Sequence, residues 1–113
     1  MERRVSLRAR TDFSVIKHDG SFRARCRGVE LSSTGIIVAN PTRRSGQKQR
    51  DERMLVGLEL LFPERHRPVR AVARPVWAFG AQQAFKFIRM DDADRLTVAE
   101  HLDVLRIRGV QLC

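Results

Sequence analysis

The sequence has no tyrosine, one tryptophan and six phenylalanines, so aromatic residues make up 6% of its 113 positions. That scarcity argues against a general single-strand binder, which stacks successive bases on several exposed rings. Cysteine is scarce too. Cys26 and Cys113 form no Cys-x-x-Cys pair and no Cys/His ligand spacing, which excludes a zinc ribbon and a disulfide scaffold and fits a reduced, cytoplasmic chain. No apolar run approaches the roughly 20 residues of a membrane helix, and no charged-then-apolar leader is present. The three histidines, His18, His66 and His101, fall in two turns and a helical stretch, with no nucleophile or metal ligand beside them. Neither catalysis nor a metal site is expected from them. His101 reads as a solvated helix residue and Trp77, beside Val76, as core.

Positive charge is what the chain has in excess, with 22 Lys and Arg against 13 Asp and Glu and a formal charge of +9. Residues 1–35 hold eight basic and four acidic groups, residues 36–75 nine and four, and residues 76–113 five and five. The excess lies on the first two thirds and implies an anionic partner. A length of 113 residues suits one domain with a modest core, and 42% hydrophobic residues argue against disorder.

Strand periodicity dominates up to residue 90. Ala9–Lys17 alternates with Phe13, Val15 and Lys17 on one side, and Asp19-Gly20 signals a hairpin. Phe22–Leu31 places Arg23, Arg25 and Arg27 in a row, followed on that side by Val29 and Leu31. Ile36–Ala39, Met54–Phe62, Val69–Phe79 and Ala84–Met90 follow as strands. Pro75 demands a bulge, bend or edge position. In the last strand Phe85 and Phe87 share one face, and Lys86, Ile88 and Met90 the other. Thr42–Arg53 reads as an exposed polar loop. The period then changes: Asp91 or Asp92 caps a helix, Leu96, Ala99, Leu102 and Leu105 form its apolar stripe, and Gly109 ends it. Six strands and one terminal helix fit a mainly β fold, a small Greek-key barrel with a helix laid against it.

Two short stretches carry the chemistry. Arg3, Arg4 and Arg8 stand just ahead of the first strand, and each guanidinium can fork onto a phosphate or a guanine O6/N7 edge. Glu30-Leu31-Ser32-Ser33-Thr34-Gly35 lies between two apolar strands. Together, Arg4-x-x-x-Arg8 and Glu30-x-Ser32-x-x-Gly35 resemble the signature of PilZ domains, the bacterial receptors for cyclic di-GMP: RxxxR, then about twenty residues later [D/N]xSxxG. Glu30 departs from it, standing where the family has Asp or Asn. Val76-Trp77 and Phe85-Lys86-Phe87 match the family's late pattern.

The resemblance covers almost the whole chain. It implies a single domain over residues 1–113, with a flexible arm at 1–10, a barrel at 11–90 and a helix at 91–108. It implies that Arg4 and Arg8 clamp phosphates and guanine edges, with Arg3 reaching a second nucleotide or stacking on a base. Glu30 is then placed to accept from guanine N1–H and N2–H₂, or to pair with Arg8 in the empty site. Ser32 donates to phosphate or braces the turn. Gly35 permits a special backbone conformation, a close ligand approach or a plain turn. The expected function is a non-enzymatic cyclic di-GMP receptor that needs no cofactor and signals through a protein effector. The alternatives are a basic β-barrel binding nucleic acid, and a PilZ-like interaction protein that has lost the nucleotide.

Overall fold

The computed structural model describes residues 9–40 and 55–107, with the backbone alone for Ala9, Arg10 and Arg106. Six strands and one helix run in the order β1 (Ala9–Asp19), β2 (Phe22–Leu31), β3 (Gly35–Ala39), β4 (Val56–Leu61), β5 (Val69–Phe79), β6 (Gln82–Met90) and α1 (Asp92–Ile107). The strands close into a barrel in the order β1-β2-β3-β6-β5-β4, antiparallel at every seam. Closure leaves no sheet edge to cover. The hairpins β1–β2 and β5–β6 turn at Gly20 and Gly80, whose φ of 65° and 61° is where glycine costs least.

Alternation fills the barrel. Val15, Leu31, Val38, Leu58, Leu60 and Val69 are fully buried within it. Val56, Leu58 and Leu60 of β4, and Phe62 just beyond its end, are all buried. At one end Lys17 reaches Gln83 Oε1 at 3.3 Å, and the Cys26 thiol donates to Asn40 Oδ1 at 2.8 Å. Burial pushes the Cys26 thiol up, with Lys17 offsetting part of that, so the group stays a protonated, inert thiol.

α1 closes the other end, and its buried stripe differs from the one the leucine spacing suggests. Val98, His101 and Leu105 are buried and Leu102 packs against the core, whereas Leu96 is 61% exposed and Ala99 is also exposed. The helical period holds, but the stripe is rotated, because His101 serves as an apolar surface. It is only 5% exposed, not solvated as the sequence suggests. Its ring stacks on Phe62 at 4.1 Å between centroids and meets Phe13 edge-on at 5.7 Å. Its Nδ1 pairs with Glu64, while Nε2 is buried without a partner among the described residues. The helix is also pinned by Arg65 on Glu100 and by the Arg70 N–H on Asp94 Oδ2 at 3.3 Å. Asp91 precedes the first turn, its carbonyl accepting from Arg95 N–H at 2.9 Å, and Asp92 and Asp94 are acidic within that turn, as the helix dipole favours.

Besides a shift in β1 between Arg10 and Phe13, three register shifts decide which side chains of β2, β5 and β6 face out. In β2 the pairing with β3 slips between Gly28 and Glu30. One extra residue reverses the parity of the strand, so Leu31 joins the core instead of the arginine face, and Glu30 follows Arg27 outward. In β6 the slip against β5 between Val72 and Ala73 skips Ile88, leaving Ile88 exposed and Met90 buried rather than on one shared face. In β5 the slip lies between Pro75 and Trp77. Pro75 is buried and Val76 is the extra residue, so Trp77 faces outside and is 40% exposed, not core.

Candidate functional site

The turn from β2 into β3 is built around Ser32. Its side chain is only 5% exposed, and its Oγ accepts from the N–H groups of Thr34 at 3.2 Å and Gly35 at 3.1 Å. The Thr34 hydroxyl lies 3.2 Å from the same oxygen. Ser32 N–H donates to the Gly35 carbonyl at 2.9 Å, and the Thr34 carbonyl accepts from Phe87 N–H at 2.8 Å. Of the two roles open to Ser32, bracing the turn is the one these bonds describe. Replacing it with Ala strands the Thr34 and Gly35 N–H groups at a partly buried turn. Lost hydrogen bonds of this kind cost about 1–3 kcal/mol. Ser32→Ala is therefore expected to lower the midpoint of urea unfolding with an unchanged denaturant slope; an unchanged midpoint would show that water satisfies both groups.

Gly35 has a different reason to be glycine. Its backbone is not left-handed, since Gly20 and Gly80 are the positive-φ residues among those described. A Cβ at Gly35 would lie 2.5 Å from the carbonyl oxygen of Phe85. The close approach that excludes a side chain is thus made by strand β6, which pairs here as Gly35 with Lys86.

Glu30 is half-buried on the outer side of β2, in register with Arg10 on β1 and Ile37 on β3. Beyond Ile37 the same row continues to Ala84 on β6 and Trp77 on β5. Glu30 and the Ser32–Gly35 turn stand at the barrel end from which β1 starts at Ala9. Arg3, Arg4 and Arg8 themselves lie outside the described residues, as do the Thr42–Arg53 loop, Gly109 and Cys113. Sequence reasoning missed the outward turn of Trp77. The signal that could have found it is Pro75, whose bulge reverses the inside-outside pattern of the residues after it.

No protein-family model and no curated protein matches the sequence. Solved structures do match. The PilZ domain of YcgR from Escherichia coli, determined with c-di-GMP, superposes with a TM-score of 0.67 at 15% identity, over 96% of this chain and 95% of that one. The PilZ domain of CeSA from a cellulose-synthesizing bacterium gives 0.62 at 18% identity, over 88% and 97%. This chain has a PilZ-like fold. The Bacillus subtilis inhibitor of motility, MotI/DgrA, gives a TM-score of 0.78 at 13% identity over 96% of this chain, which spans 53% of that protein. The PilZ-like barrel and terminal helix expected from the sequence are therefore present. Among the described residues no helix is long and apolar enough to cross a membrane.

Proposed function

We propose that this PilZ-like chain is a receptor for cyclic di-GMP, acting by binding rather than by catalysis. The observation that carries the reading is the β2 bulge. It brings Glu30 to the outside of the barrel, directly before the turn that Ser32 braces and in register with Arg10 at the start of β1. A carboxylate there accepts from guanine N1–H and N2–H₂, a pair of donors on one edge that distinguishes guanine from the other bases. Arg4 and Arg8 supply the cationic forks for phosphate and for guanine O6/N7, and Arg3 reaches the second nucleotide. Gly35 lets β3 approach β6 closely and so sets the position of the turn.

The proposed signal is ordering of the arm on the ligand. A ligand shifts a protein between states only by binding them differently, and an arm that folds over the nucleotide supplies that difference. The changed surface is then read by a protein effector in the cytoplasm. On this reading residues 1–113 act as one receptor domain, with the arm as its moving part.

Glu30 gives the test. Aspartate offers the same acceptors from a shorter stem, whereas glutamine at this position removes the charge and one acceptor. Hydrogen bonds to a charged group contribute about 1.5–3 kcal/mol, or roughly ten- to a hundredfold in affinity. Calorimetric titration with cyclic di-GMP is expected to rank Glu30→Asp at least equal to wild type and both above Glu30→Gln. Tighter binding by Glu30→Gln would instead make Glu30 an internal counter-ion that reads no guanine.

A further inference from the structure

The outer face of β2, β3, β6 and β5 carries more charge than a small cyclic nucleotide needs. These four strands contain Arg23, Arg25, Arg27, Arg70, Arg74, Lys86 and Arg89, and a single carboxylate, Glu30. All seven cations are exposed. Arg27 meets Asp12 at 3.5 Å and Arg70 meets Glu59 at 3.4 Å; both carboxylates belong to β1 and β4, across the borders of the face.

The same face exposes aromatic rings. Beyond the Val76 bulge, Trp77 and Phe79 both point outward from β5, and Phe79 is 83% exposed. Two positions along a strand separate them by about 7 Å. Arg27, Ala39, Gln82 and Phe79 lie in one cross-strand row, and Glu30, Ile37, Ala84 and Trp77 in the next. Ala39 and Gln82 lie between Arg27 and Phe79, and Ile37 and Ala84 between Glu30 and Trp77. Three strand steps, about 14 Å, separate Arg27 from Phe79, and Arg25 and Arg23 follow two and four positions further along β2, past the end of β3. Adjacent exposed rings are a surface to be covered, and the surrounding charge selects a polyanion with flat apolar groups.

We propose that this face binds single-stranded nucleic acid, with phosphates along Arg23, Arg25 and Arg27 and two bases stacked on Trp77 and Phe79. The scarcity of aromatics in the sequence had argued against such a platform; the bulge supplies one from two rings. A duplex offers neither ring an unstacked base. Stacking is indifferent to base identity, so RNA and DNA single strands are both accommodated.

Trp77 is the sole tryptophan, so its fluorescence reports the contact directly. Titrating the whole chain with a labelled oligothymidylate and an oligouridylate should quench Trp77 emission, with affinity falling linearly in log–log form as salt rises. Phe79→Ala should weaken binding about ten- to a hundredfold. Because Phe79 lies one row further from the Ser32–Gly35 turn than Trp77, this variant should leave cyclic di-GMP affinity unchanged. Arg25→Ala should lower the salt slope by about 0.7, the loss of one phosphate contact on a single strand. The proposal is overturned if Trp77 emission does not respond, if duplex DNA binds as tightly as single strands, or if Phe79→Ala binds like wild type. Equal competition by poly-glutamate also overturns it, marking a site for acidic proteins.

Discussion

Gly35→Ala is expected to destabilise the fold more than any other single added methyl group among the described glycines. Its Cβ would stand 2.5 Å from the Phe85 carbonyl oxygen, nearer than any real contact. Both sides of that contact are backbone, so no side chain can rotate away. Relief requires opening the β3–β6 seam at Gly35 and Lys86, or dismantling the Ser32 turn that shares the Gly35 N–H and carbonyl. Gly28 makes the contrast: its nearest neighbour is the Phe13 ring at 2.9 Å, a side chain with room to adjust. Overpacking typically costs about 1–3 kcal/mol, and a backbone-on-backbone contact belongs at the upper end. For a small domain each kcal/mol shifts the thermal midpoint by about 4–8 °C, so a fall of roughly 10–20 °C is expected by circular dichroism. A fall of a degree or two would show that β3 and β6 separate there without difficulty, and that Gly35 is an ordinary turn residue.

The elements of this barrel were readable from period-two alternation, because each strand's own residues carry that signal. Phe22–Leu31 and Val69–Phe79 coincide with β2 and β5 as observed, and Asp19-Gly20 marks the first hairpin. The facing of residues after a bulge was not readable. A bulge is fixed by how two strands register against each other, and nothing local in Gly28-Val29-Glu30 states that one of them goes unpaired. Leu31, Met90 and Trp77 each changed sides for that reason. Pro75 is the partial exception, since its missing N–H announces an irregularity without saying which residue is extra. His101 was misjudged for a different reason. An imidazole counts as polar in a hydropathy pattern, yet one flat face can lie on Phe62 while Nδ1 reaches Glu64.

The candidate site was legible as a motif more than as a geometry. Glu30, Ser32 and Gly35 were identified by their resemblance to the PilZ signature, which left open what each does. The hydrogen bonds of Ser32 and the crowding at Gly35 give both a structural role within the turn. Glu30 is left as the outward-facing member of that trio. The direct ligand contacts of the proposal therefore fall mainly on Glu30 and on the arm.

Replacing Arg4 and Arg8 by Ala is expected to abolish measurable cyclic di-GMP binding. In the proposed complex each guanidinium makes charge-assisted bonds to phosphate or a guanine edge, worth about 1.5–3 kcal/mol apiece. Losing both lowers affinity by roughly a hundred- to ten-thousandfold. Both residues precede β1, so the thermal midpoint of the free protein should hardly move, which separates loss of the clamp from loss of the fold. The decisive measurement is isothermal calorimetry of cyclic di-GMP into wild type and into the Arg4→Ala/Arg8→Ala variant, with GTP as the competitor. Saturable wild-type binding at a small integer stoichiometry, undisturbed by GTP and absent from the variant, is the predicted result. No heat from the wild type, or equal affinity in the variant, would contradict the receptor assignment.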